Sequence, residues 1–234
     1  MKVPVRLIIG FFVAILVSVL FKKQIHKFPW VFYAVAILLD ICFLISRSPD
    51  LVIPVWLMQY VLVIFQSNTC AMGFFTIVMF TGAFSDESVL RKMFMPIRAE
   101  LSIIASLLSI AHVVNYGSSY LTQLLSASVN VPPIRLAATL ISFILVLLLI
   151  PLFITSFKAV RKRMSANSWK RIQWLAYPFY ILVFVHILSF LLIPVFAGKL
   201  EPTLRIDLYM ILLAAYIFLR IRRFRLRKLV PATT

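Results

Sequence analysis

IQWLAYPFYILVFVHILSFLLIP, residues 172–194, decides how this chain is read. It is an apolar run long enough to cross the hydrocarbon layer of a bilayer, which takes about 20 helical residues, and it buries one imidazole, His186. A second run, IRAELSIIASLLSIAHVVNYGS at residues 97–118, carries His112. Counted from the basic cluster preceding each run, His112 comes about 15 residues, or about 22 Å, into its helix, and His186 about 14 residues, or about 21 Å. Both imidazoles are thus expected at one depth, in the outer half of a membrane. Ionisable side chains are costly there and mark function. Two histidines on separate helices at matched depth are what a membrane b-type haem needs for its axial ligands; the competing reading is a pair of neutral imidazoles that only hydrogen-bond between helices.

The rest of the sequence agrees with a membrane setting. Of 234 residues, 63% are hydrophobic and 13% charged, more apolar surface than a soluble domain could cover. Apolar runs predict seven spans, at residues 5–21, 30–46, 68–84, 97–118, 134–155, 172–194 and 205–219, so the expected fold is an all-α polytopic transmembrane bundle. Residues 51–66 are apolar but short and run directly into the third span; they are read as an interfacial or re-entrant helix on the outer face. With the C-terminus inside, 18 of the 24 Lys and Arg residues fall in cytoplasmic segments, the asymmetry expected of a multi-pass plasma-membrane protein. The net charge of +17 is therefore assigned to topology and anionic lipid headgroups, with no nucleic-acid partner. Lys2 and Arg6 before the first run resemble a signal sequence, but no small-residue cleavage site follows Leu20, which predicts an uncleaved helix.

The two cysteines, Cys42 and Cys70, form no CxxC or CxxCH pattern, which argues against covalent haem, iron–sulfur clusters and structural zinc. There is no Gly-rich phosphate loop, so a flavin or nicotinamide domain is expected on another chain. Asp40, near the middle of the second span, must be protonated, paired or facing a polar cavity; it is read as a tie between helices, with proton uptake beside a quinol as the other possibility. His26, in a basic cytoplasmic loop, is expected to be solvated, with a weak cytoplasmic ligand role as the other reading. Pro178 predicts a kink between Gln173 and His186, and Trp30, Trp56, Trp169 and Trp174 suit interfacial anchoring.

Two stretches carry a resemblance. PLFITSFKAVRKRMSANSWKRIQWLAYPFYILVFVHIL, residues 151–188, and PIRAELSIIASLLSIAHVVNYG, residues 96–117, resemble the ferric-reductase-like transmembrane superfamily. They look most like the haem-binding membrane subunit of the bacterial periplasmic methionine-sulfoxide reductase system. The shared features are Thr155 and Ser156 closing a span, a basic loop, Trp169, an aromatic helix start and His186. The resemblance implies a six-helix haem-binding core over residues 29–221, an additional N-terminal helix at residues 1–28 and a basic tail at residues 222–234. Arg135 falls where the family has an arginine, which implies a haem propionate partner, with Lys199 and Arg205 as further candidates. One departure bears on stoichiometry. The family commonly has Trp-x-x-Leu-His before the span, whereas this chain reads WKRIQ over residues 169–173. The matching place on the other helix is Arg98. Neither Gln173 nor Arg98 is an ordinary haem ligand, so the stacked inner and outer haems of NADPH oxidases and eukaryotic ferric reductases reduce here to one haem b.

These readings converge on a membrane electron-transfer subunit rather than a self-sufficient enzyme, with metal ligands His112 and His186. The resemblance implies quinol or a cytoplasmic flavin reductase as donor and an exported reductase, a flavoprotein or ferric iron as acceptor, with FMN or a quinone as relay. The alternative is a haem-free permease or assembly subunit.

Overall fold

Transmembrane helices need apolar side chains outward and a satisfied backbone inward, and the long apolar runs meet both demands. The computed structural model describes residues 3–47, 53–62, 68–125, 133–196 and 200–229. Eight principal helices appear in chain order: α1 (Val3–Leu20), α2 (Pro29–Ile45), α3 (Thr69–Ala83), α4 (Arg98–Leu108), α5 (Ile110–Leu125), α6 (Pro133–Ser156), α7 (Ala176–Phe196) and α8 (Leu200–Leu229). Among the described residues there is no strand. Three helical stretches, Val89–Thr122, Pro133–Ser156 and Ala166–Leu192, are long and apolar enough to cross a bilayer, and Val5–Leu20, Pro29–Ile45 and Thr69–Ala83 are shorter apolar helices. The protein is an all-helical membrane bundle.

Two helices differ from their expected outline. The stretch predicted as one helix over residues 97–118 is interrupted at Ser109, between α4 and α5. The stretch from residue 172 turns at Trp174 and Leu175 before α7 begins at Ala176. Pro178 therefore lies in the first turn of α7, where a missing N–H costs nothing, rather than bending a continuous helix. Of the segment expected to be interfacial, residues 53–62 are described; Leu57–Leu62 forms a π-helical turn, and Leu57, Met58 and Leu62 pack with Phe43 and Ala111.

The centre of the bundle is α3. Of its 15 residues, 13 are buried, and a helix apolar on every side is a core helix. It packs against α1, α4, α8 and α7. The crossing with α1 is closest: a Cβ on Gly73 would lie 2.7 Å from the Ala14 Cβ and 3.1 Å from the Phe11 Cα, and one on Gly10 would lie 2.8 Å from the Thr69 carbonyl carbon. Small residues let two backbones approach where lipid gives no hydrophobic drive for association. The first helix is thus packed into the bundle.

Arginines gather at the far end of α3. Arg91 donates to the Thr81 carbonyl (2.9 Å) and Arg98 to that of Val78 (3.0 Å). From α8, Arg220 donates to Gly82 O (2.9 Å), as does Arg223, while Asp86 pairs with Arg91 (3.0 Å) and Arg223 (2.9 Å). The carbonyls of a last helical turn have no helical donor, and cations suit the negative end of the dipole. The segment holding Arg91 and Arg98 and the C-terminal basic run therefore share one end of the bundle. Close packing at Gly73 predicts that Gly73→Val costs about 1–3 kcal/mol, read as a lower melting temperature of the detergent-solubilised protein. At Gly117 a Cβ meets nothing within 4 Å, so Gly117→Ala is expected to hold stability or raise it by up to about 1 kcal/mol.

Candidate functional site

His186 lies ten residues into α7, on the side that packs against α6. Its Nδ1 is 3.1 Å from the Ser142 hydroxyl, and that hydroxyl donates its only proton to the Ala138 carbonyl at 2.8 Å. Toward the imidazole, Ser142 must then accept. The network assigns the proton to Nδ1 and leaves the lone pair on Nε2, across the ring. The Ala138 carbonyl also lies within hydrogen-bond reach of His186, which favours the same tautomer.

His112 is set differently. It follows the Ser109 interruption by three residues, at the start of α5. The interruption is pinned on one side by the Asn68 amide, 3.3 Å from the Ser109 hydroxyl, and on the other by Asp40, whose Oδ2 accepts from the Ala111 N–H at 3.0 Å. Asn68 holds a left-handed backbone, φ 54°, which asparagine tolerates better than most residues. Asp40 is thus a tie between α2 and α5, the first of its two expected roles.

Both histidines line a single cavity of about 440 Å³, within the range of small-molecule and cofactor sites. Its wall is mainly apolar, with polar groups from Asn68, Ser109, Tyr116, Tyr120, Arg205 and Tyr209. A run of rings joins the histidines along one side: His112 to Tyr116 (4.7 Å between centroids), Tyr116 to Tyr120 (6.5 Å), Tyr120 to Phe190 (5.6 Å) and Phe190 to His186 (5.1 Å). Sequence reasoning missed Tyr116 and Tyr120, although their spacing of four and eight residues after His112 places all three on one helix face. Ser142 had no signal of its own; an isolated serine in an apolar helix gains its role only from the residue opposite.

The other expected residues are spread more widely. Arg135 is exposed in the first turn of α6 and stands outside the cavity lining, within electrostatic range of Tyr120. Arg205 lines the cavity, and its buried Nε has no hydrogen-bond partner among the described residues. Lys199 lies outside the described residues. His26 is exposed. Cys42 and Cys70 are both free thiols, one exposed and one buried.

Nearer the arginine end, the two positions that correspond to inner ligands in the resembling family are engaged in packing. The Gln173 amide donates to the Thr155 hydroxyl (3.1 Å), the Trp169 indole donates to the Thr155 carbonyl (3.1 Å), and Arg98 holds Val78. Lys158 pairs with the buried Glu100 at 3.1 Å. Among the described residues no three His, Cys, Asp or Glu side chains gather where they could hold a metal ion.

Residues 69–184, about half of the chain, match the family described as the ferric reductase like transmembrane component. His112 falls inside that match and His186 two residues beyond its end. An uncharacterized protein of Treponema pallidum (strain Nichols) is 39% identical over 158 residues, covering 67% of this chain and 43% of the relative. The chain thus spans less than half the length of that curated relative. No solved structure matches. Residues 69–184 are thus similar to a ferric reductase like transmembrane component, and the wall of the cavity that carries His112 is built within them.

Proposed function

We propose that the chain is a membrane electron-transfer component that holds one haem b between His112 and His186. The observation that carries this reading is the shared cavity, with an imidazole on each of two helices and the Nδ1 of His186 already engaged. The donor set fits a haem better than a bare ion. Two histidines leave four coordination positions open, and a macrocycle brings those four nitrogens itself. The Ser142 contact is the kind of outer partner that fixes the tautomer and ring plane of a ligating histidine. Arg205, with an unpartnered Nε in the wall, and Arg135, near Tyr120, are the propionate partners we assign; each would supply charge-assisted hydrogen bonds.

When bound, a haem b supplies a one-electron carrier inside a layer of low dielectric. The protein's part is to hold the two imidazoles, exclude lipid with the apolar wall, and orient the site toward the end of the bundle opposite the arginines. Positive-inside asymmetry makes the arginine end cytoplasmic, so electrons leave on the extracytoplasmic side. The Gln173–Thr155 and Arg98–Val78 contacts support a single haem, since neither side chain is a ligand and each is engaged elsewhere. A lone outward haem leaves a gap on the cytoplasmic side, which favours quinol as donor, or a flavin reductase acting through FMN or a quinone. The acceptor is an exported oxidoreductase or flavoprotein, as in the methionine-sulfoxide reductase system that the sequence resembles, or ferric iron.

Purified protein is expected to give a b-type reduced-minus-oxidised spectrum, with pyridine haemochrome near one haem per chain and loss in both His112→Ala and His186→Ala. About two haems per chain would overturn the single-haem reading. No haem in protein made with ample haem supply would leave a packing role for the histidines, as in a permease or assembly subunit. Ser142→Ala removes the hydroxyl acceptor at Nδ1, leaving the Ala138 carbonyl alone within reach, and is expected to weaken haem binding by about 10-fold or more, measured by titrating haem into the haem-free protein; unchanged affinity would detach Ser142 from the site.

A further inference from the structure

The group that caps the backbone one residue before His112 is not part of the cavity lining. Asp40, on α2, is 5% exposed and is not among the residues that line the cavity. Its Oδ2 accepts from the Ala111 N–H (3.0 Å), and its Oδ1 is buried without a hydrogen-bond partner among the described residues. In an unbroken helix the Ala111 N–H would donate to the Leu107 carbonyl, four residues back. Here the helix stops at Ser109, and a carboxylate from another helix takes that donor one residue before His112. Within a bilayer no water is at hand to take its place.

We infer that Asp40 is the positioning residue for His112: by capping the Ala111 N–H from a neighbouring helix it fixes the break at Ser109 and aims the imidazole into the cavity. This rests on the haem-ligand reading of His112 and adds how that ligand is held. The two histidines then depend on different devices. His186 is set through its ring by Ser142, and His112 through its backbone by Asp40. Without the carboxylate, the donor either returns to Leu107, straightening the helix and rotating His112, or stays unpaired. Either result moves the imidazole.

Two variants separate positioning from bulk. Asp40→Asn keeps an oxygen acceptor for Ala111, whereas Asp40→Leu removes it and still fills the space with an apolar side chain, a replacement that buried charges often tolerate in folding. Each is compared with wild type in a nanodisc by electron paramagnetic resonance of the ferric haem, by haem titration, and by amide hydrogen exchange over residues 110–116. The expected result is a wild-type low-spin signal and affinity in Asp40→Asn. In Asp40→Leu the low-spin signal should be lost or shifted, haem binding weakened about 10-fold or more, and exchange over residues 110–116 faster. A folded Asp40→Leu protein with the wild-type signal, affinity and exchange overturns the inference, as does one with lower melting temperature alone. Wild-type protein that takes up no haem overturns the functional reading instead; exchange then decides the positioning role by itself, and no change in Asp40→Leu overturns that too.

Discussion

A backbone N–H or C=O that loses its helical partner inside a bilayer has no water to turn to, and this constraint organises the molecule. At three of the places where the described helices stop or break, side chains from elsewhere bind at the ends. Arg91 and Arg220 meet the Thr81 and Gly82 carbonyls that end α3, and Arg98 reaches Val78 within it. Asp40 and Asn68 hold the Ser109 break. Trp169 and Gln173 tie the turn before α7 to Thr155, near the end of α6. Some of these contacts join segments far apart in sequence, Asp40 with Ala111 and Arg220 with Gly82, so that satisfying the backbone and fixing the tertiary arrangement go together.

The cavity is a consequence of those ties. The glycine crossing sets α1 against α3, and the arginines draw α8 to the same helix. Tyr180 on α7 donates to Thr76 on α3 at 3.0 Å and packs edge-on against Tyr216 of α8. With α3 held on these sides, α5 and α7 close on a space that neither fills, and each turns one histidine toward it. The lining is apolar enough to exclude water and carries few polar groups, the arrangement that orients a bound molecule.

The two ends of the bundle differ in kind. Toward the arginine end, Gln173 and Arg98 are engaged in holding helices together. Toward the other end the interior opens around His112 and His186.

Much of this was legible in the sequence. Apolar run lengths gave the helical bundle because a bilayer demands about 20 residues per crossing, and counting from the basic clusters paired His112 with His186 because helical rise is constant. The Gln173 and Arg98 departures also marked the inner level as different. Other features were out of reach. No pattern in the chain reveals that Ser142 faces His186, that Asp40 caps Ala111, or that Arg205 rather than Arg135 lines the cavity. The sequence by itself determined that the chain is a bundle of apolar helices and predicted matched depths for its two histidines, since hydrophobicity and helical rise can be read along one segment. The tertiary structure decided how the histidines are held and where the helices break, because a hydrogen bond across 71 or 44 residues exists only once separate helices have packed.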